Sequence, residues 1–319
     1  MKYAVVYMTP NQKKLVMEQA VFYNLDDASQ WEQHINKTQH SKMQSYNSNT
    51  TPKYISKTYE LPELNIGDLV LRNRQIDVFS ETPFPKDRII VGFMGSAGNE
   101  TDKSGKQFVP TKEHKELGEN IGKMVADRNC ILSNGAAWGL PYFPIRGAKK
   151  NEGYTLGISP YQDKKSHEER NPIKHLDLVL YAGVDFEEQP HFKFILRDAI
   201  NTLYPDVVIS MGGRYGTLDE DSQVIEQGGI FIPLKGSGGA TDLLIDSIEN
   251  ERIVKDTGAK IIIPPDQSLK SLEEAIKEGI SEAGRRWEAE GRTQNRFSHV
   301  AYELERLMEE TPEMSDFGM

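Results

Sequence analysis

Val207-Val208-Ile209-Ser210-Met211-Gly212-Gly213-Arg214-Tyr215-Gly216-Thr217-Leu218-Asp219-Glu220 is the stretch whose reading decides the fold. It reads as a buried strand, a glycine-rich turn and a helix start that ends on two carboxylates. A short apolar run bounded by glycines suits a parallel strand covered on both faces. Gly212, Gly213 and Gly216 permit positive φ and close backbone approach. The free N–H groups of the following helix, with its dipole, attract an anion, most often a phosphate. Thr217 offers a hydroxyl donor or a helix cap. A glycine turn that serves packing alone has the same local signature, but the placing of Thr217 and Glu220 favours a ligand.

Working outward, strand-like and helix-like segments alternate from 88 to 265. That pattern calls for an α/β fold, a Rossmann-like parallel sheet with helices on both faces. Arg88 to Gly98 is a strand ending in small residues, and ligands gather at the carboxyl ends of such strands, so Gly95 and Ser96 join the candidate pocket. Cys130 to Ser133 is the next strand and runs into a second small-residue loop, Asn134 to Pro141, containing Gly135. Tyr154–Ser159 and Leu178–Tyr181 are further strands. Helical spacing marks His114–Asp127, Phe143 to Lys150 and Phe192–Leu203. The charged connection 163–175 is a solvated face or a ligand contact. Lys235 to Ala240 is a third glycine-rich segment, either pocket rim or flexible turn. No G-x-G-x-x-G fingerprint is present, which excludes a standard dinucleotide dehydrogenase.

The chain has 319 residues and a formal net charge of −10. Two domains are expected, 1–85 and 86–319, divided at the stiff Thr82-Pro83-Phe84-Pro85. The first is a small N-terminal α+β module of unknown role. It holds a hairpin of Tyr3–Met8 and Leu15–Tyr23, a helix from Asp26 to Ile35, a polar loop over 39–52, and short strands at 53–60 and 68–71. The second is the nucleotide-binding domain with a C-terminal helical extension. There, Ser268 to Gly279 is an amphipathic helix, and 282–310 is a further helix with an apolar stripe of Phe297, Val300, Leu304 and Leu307. The acidic balance disfavours a general nucleic-acid surface. The single cysteine, Cys130, reads as a buried apolar residue, and His34 and His40 as solvated surface. No metal and no cofactor is expected. No run is long and apolar enough for a membrane span, and no signal peptide is visible, so a cytoplasmic protein is expected.

These residues resemble the LOG-like family of the SMF/DprA–LOG (SLOG) superfamily, once grouped as lysine decarboxylases. The family turn reads P-G-G-x-G-T-x-x-E, with longer forms ending G-G-x-Y-G-T-L-x-E, against Gly212 to Glu220 here. Its strand end G-S matches Gly95-Ser96, and its second glycine loop matches Gly135 to Leu140 loosely, with Gly147-Ala148 after it. Gly157-Ile158-Ser159-Pro160 matches the following strand end. The family also carries an arginine fifteen residues before the first glycine, where Arg197 stands.

The resemblance implies cytokinin riboside 5′-monophosphate phosphoribohydrolase-type chemistry: cleavage of the N-glycosidic bond of a nucleoside 5′-monophosphate to base and ribose 5-phosphate. It implies Arg197 and Glu220 as catalytic residues. Gly95, Ser96, Gly135, Gly212, Gly213, Gly216 and Thr217 then bind the nucleotide and its phosphate. The partner is a nucleotide or phosphoribosyl small molecule, and a homo-oligomer, commonly a dimer, is expected. Three departures stand out: Met211 in place of proline, Asp198 where lysine or asparagine is common, and Ala136 and Ala137 where glycines are common. They keep open the alternative of a non-catalytic nucleotide-binding sensor, and behind it a structural protein with a decayed pocket.

Overall fold

The computed structural model describes residues 2–8, 15–22 and 55–61 in a first unit, and 76–98, 110–183, 192–250 and 257–300 in a second. The chain divides into these two compact units between Val70 and Leu71. In the first, β1 (Lys2–Met8) pairs antiparallel with both β2 (Leu15–Phe22) and β3 (Ile55–Leu61). The helix at 26–35, the loop at 39–52 and the strand at 68–71 expected from the sequence lie outside the described residues.

The second unit is an eight-stranded sheet. Its strands are β4 (Ile76–Val78), β5 (Ile90–Gly95), β6 (Ile131–Asn134), β7 (Tyr154–Ser159), β8 (Leu178–Tyr181), β9 (Val207–Met211), β10 (Ile230–Pro233) and β11 (Lys260–Ile261). Their spatial order is β11-β10-β9-β5-β6-β7-β8-β4. Every pairing is parallel except β4 with β8. β4 begins upstream of Thr82–Pro85 and belongs to this sheet, so the unit boundary lies before the proline break rather than at it.

The helices are α1 (Lys112–Ala126), α2 (Tyr142–Lys150), α3 (Lys164–Glu168), α4 (Phe192–Leu203), α5 (Tyr215–Glu226), α6 (Gly239–Glu249) and α7 (Leu269–Ala289). Alternation along the strands sends side chains to opposite faces. Val207, Ile209 and Met211 of β9 face a core shared with Ile121 of α1, Ala148 of α2 and Ile276 of α7. Val208 and Phe231 face the other core, with Val224 of α5 and Leu244 of α6. Both faces are therefore covered, which is why the strands are apolar without a break. Cys130 is buried, and burial pushes its thiol up to about 12. Among the described residues no helix is long and apolar enough to cross a membrane.

The C-terminal part differs from expectation. One helix, α7, runs through Gly279 to Ala289 instead of breaking near 280. Gly279 stays helical because its bare backbone lies against the sheet, where an added Cβ would meet Ile232 at 3.0 Å and Val207 at 3.1 Å. The chain then turns at Gly291 (φ 64°). Phe297 enters the core against Phe84 and Tyr204, with ring centroids at 5.1 and 5.0 Å. Leu304 and Leu307 lie outside the described residues.

That turn is tied to the amino ends of the central strands. The Asn295 side chain donates to the carbonyls of Pro85 and Arg88, each at 3.0 Å. Buried Asp206 accepts from the backbone N–H of Ile90 (3.0 Å) and from Trp287 Nε1 (2.9 Å), and pairs with Arg292. Removing one member of a buried ion pair leaves the others desolvated and unpaired. Asp206→Ala should lower the unfolding free energy by about 3–5 kcal/mol, read from the shift of the urea midpoint at unchanged slope; a loss under 1 kcal/mol would show the cluster to be dispensable.

Candidate functional site

β5 and β9 lie side by side, with Phe93 opposite Ile209 and Gly95 opposite Met211. From β5 the chain winds towards β6, β7 and β8, and from β9 it winds the other way towards β10 and β11. Open α/β sheets bind ligands at this reversal, outside the carboxyl ends of the strands. Ser96 and Gly212 emerge there together.

The loop after β9 is held from both sides. Gly213 N–H donates to Ser96 Oγ at 3.1 Å, and Gly212 N–H donates to Ser237 Oγ at 2.9 Å. The Gly212 carbonyl accepts from the backbone N–H (2.9 Å) and hydroxyl (2.8 Å) of Thr241. These two glycine amides are thus satisfied inside the protein and do not point at a ligand. Gly213 sits at φ 99°, and a Cβ there would fall 2.3 Å from Thr217. The segment after β10 is accordingly a brace behind the loop.

α5 begins at once. Its N-cap, Arg214, is extended and supplies no side-chain cap. The first intrahelical acceptor is the Arg214 carbonyl, bonded by Leu218 N–H. The N–H groups of Tyr215, Gly216 and Thr217 precede that bond and form the open, partly positive end of the helix. Thr217 lies inside the first turn rather than at the cap.

A cleft of about 510 Å³ lies over these elements. Gly95, Ser96, Gly135, Arg197, Gly216, Thr217 and Glu220 all line it; Gly212 and Gly213 do not. Arg197 comes from α4 and donates to the Gly135 carbonyl at 3.4 Å. A Cβ on Gly135 would lie 1.6 Å from Arg197 Nη1, so the missing side chain is the seat of the guanidinium. Arg197 Nε is also 2.7 Å from Asp198 Oδ1, a charge contact rather than a directed hydrogen bond.

Glu220 is buried on the facing side of α5, where Asn201 Nδ2 donates to its Oε1 at 2.8 Å. Burial is the main force on its carboxyl. Arg197 opposes it, the Asp198 carboxyl adds to it, and the outcome is a group pushed up to about 8. Burial likewise raises Asp198, against the pull of Arg197. Asp221, one residue on, is buried behind the loop, accepts from Ser210 Oγ at 2.7 Å, and is raised well above the ordinary carboxylate range by burial.

The third wall comes from the β7–β8 connection. His167 is fully buried there, with Nδ1 2.8 Å from Ser159 Oγ and Nε2 3.3 Å from the Pro172 carbonyl. This anchor carries Glu169, Arg170 and Asn171 to the cleft, which Arg214 also lines. The charge run had marked this segment; Asn201 was missed. Its signal was present, because 197, 198 and 201 share one face of a helix.

Residues 88–263, over half of the chain, match the model of the SLOG cluster4 family. Among solved structures, the structural-genomics target TM1055 is 23% identical over 60% of this chain and 99% of its own, with a TM-score of 0.48. The molybdenum cofactor binding protein from the phototrophic bacterium Rippkaea orientalis is 24% identical over 60% and 96%, at 0.44. DNA processing protein A from Streptococcus pneumoniae is 17% identical over 66% and 77%, at 0.43. These likenesses are of fold. No curated protein matches the chain.

Two glycines separate the roles of loop and seat. Gly213→Ala should destabilise the protein by about 1–2 kcal/mol or more, because a Cβ at positive φ is strained and Thr217 blocks it. Gly135→Ala should unfold within a few degrees of the parent yet show Arg197 displaced in its crystal structure. Thermal melts check the first, and an undisturbed Arg197 would contradict the second.

Proposed function

The chain belongs to the SLOG cluster4 family, and from that premise we propose that the cleft binds a nucleoside 5′-monophosphate and hydrolyses its N-glycosidic bond to base and ribose 5-phosphate. The observation that carries this reading is the convergence of Arg197, Glu220 and the open first turn of α5 on one cleft. The N–H groups of that turn, with the Thr217 hydroxyl and Arg214, suit a phosphate. Arg197 suits a phosphate or ribose oxygen, because its planar fork presents several donors at once. Glu220, one turn further along α5 than Gly216 in the same cleft, suits contact with a ribose. Glycosidic cleavage passes through an oxocarbenium-like sugar, and a carboxyl group beside it assists by charge or by proton transfer. The volume suits a ligand of nucleotide size.

The second reading is binding without turnover, a nucleotide sensor reporting through the N-terminal module. The Arg197–Asp198 contact favours it, since that contact occupies part of the guanidinium a substrate would need.

Incubation with a panel of nucleoside 5′-monophosphates, followed by chromatography of the free base, tests the reading. Turnover of at least one is expected, with Glu220→Ala lowering kcat about 10²–10⁴-fold and leaving calorimetric binding in place. Binding without base release would favour the sensor. Neither binding nor release would remove the nucleotide assignment.

A further inference from the structure

α4 and α5 meet in two layers. Asn201 touches Glu220 in one, and Asp198 lies over Gly216 in the other, with Oδ2 3.4 Å from where a Cβ on Gly216 would stand. Asp198 and Asn201 are three apart on α4, and Gly216 and Glu220 are four apart on α5, so each pair shares a face. Asp198 and Glu220 are therefore neighbours across the same seam. Both are buried and both line the cleft, and each carboxyl group acts on the other's ionisation. Two carboxylates cannot both ionise at such a contact without a large penalty. The surroundings divide the roles. Asn201 donates to Glu220 Oε1, leaving Oε2 for a proton, and Arg197 Nε faces Asp198 Oδ1 and stabilises its charge.

We propose that Asp198 is the proton-sharing partner of Glu220, so that the pair enters the reaction as one acid and one carboxylate, with Glu220 acting as the general acid. The chemical step rests on the hydrolase reading; the shared proton does not. In that step the bond between C1′ and the base nitrogen breaks, and its electron pair leaves with the base. The base takes the proton held on Glu220. A water oxygen bonds to C1′, and the proton it loses goes back to the pair. The products are free base and ribose 5-phosphate, and the pair is restored with one proton.

Other charges face the pair. Arg197 comes from α4, and Asp219 and Asp221 from α5 itself. Glu169 and Arg170 on the β7–β8 connection and Arg214 at the N-cap of α5 line the same cleft. β5 presents only neutral groups there, Phe93, Met94 and Gly95. Burial is the main force holding the acid form of Glu220 up and Asp198 adds to it, while Arg197 and Asn201 draw it down.

The test has two independent arms. In the first, infrared spectra of the ligand-free protein are taken across pH. Beside the component of buried Asp221, a second protonated carboxyl band is expected at pH 7 that fades as pH rises through about 8 and is isolated in the difference between the parent and Glu220→Gln spectra. In Asp198→Asn the band should fade at a pH lower by about one unit or more, because the neighbouring negative charge is gone. In Asn201→Ala it should fade at higher pH, because a donor to the carboxylate is lost. Opposite displacements separate proton sharing from a general loss of packing, and circular dichroism confirms that each variant folds. No Glu220-dependent band in the parent at pH 7, or no displacement of it in Asp198→Asn, overturns the shared proton whatever the activity. In the second arm, the alkaline limb of kcat for base release should move with the band in each variant. A limb that ignores the substitutions overturns Glu220 as the acid. No base release with the band intact overturns the hydrolase step and leaves the carboxyl pair standing.

Discussion

A backbone amide shut away from water has to find a hydrogen-bond acceptor, and at the end of β9 that requirement decides where three loops meet. The chain turns there from the sheet into α5 within a few residues, and the amides of Gly212 and Gly213 are buried by the turn. Ser96, from the loop after β5, satisfies one, and Ser237, from the loop after β10, satisfies the other. Thr241 closes the cluster on the Gly212 carbonyl. Position of the cleft, direction of α5 and spacing of the neighbouring loops all follow from those few bonds. The glycines make the turn possible, and the hydroxyls make it a single conformation.

The site above that turn is built from groups that are costly to bury. Carboxyl groups in a low-dielectric setting resist ionisation unless donors surround them, and Glu220, Asp198 and Asp221 are arranged within a single seam. Asp221 shows the structural use of such a group: it is hidden, bonded to Ser210, and aimed at no cleft. Glu220 and Asp198 are placed differently, because they reach the same cavity and are balanced against Arg197. Arg197 in turn depends on an absence, the side chain that Gly135 does not have.

Much of the fold was legible because each central strand is apolar throughout and bounded by small residues. The turn around Gly212, the ends of β5 and β7, and the span of α4 all follow from that pattern. The three-residue β4 was not legible, since so short an edge strand has no period to read and gains its place only by pairing with β8. Gly279 misled for a related reason: glycine weakens a helix in isolation, and only the sheet beneath it explains why α7 continues. At the site, Arg197 was reached through family resemblance alone. The engagement of the two glycine amides by Ser96 and Ser237 lies beyond local sequence, because each contact joins distant parts of the chain.

The anchoring of the β7–β8 connection has a consequence for how such a protein diversifies. His167 fixes that connection at its root, against Ser159 and the Pro172 carbonyl, while Glu169, Arg170 and Asn171 are displayed beyond the root. The acid pair and the guanidinium belong to other elements, α4 and α5. The displayed residues and the buried carboxyl and guanidinium groups are thus carried on separate pieces of chain that line one cleft. A substitution among the displayed residues reshapes the rim of the cleft while the groups on α4 and α5 keep contacts of their own, so rim and floor can vary independently.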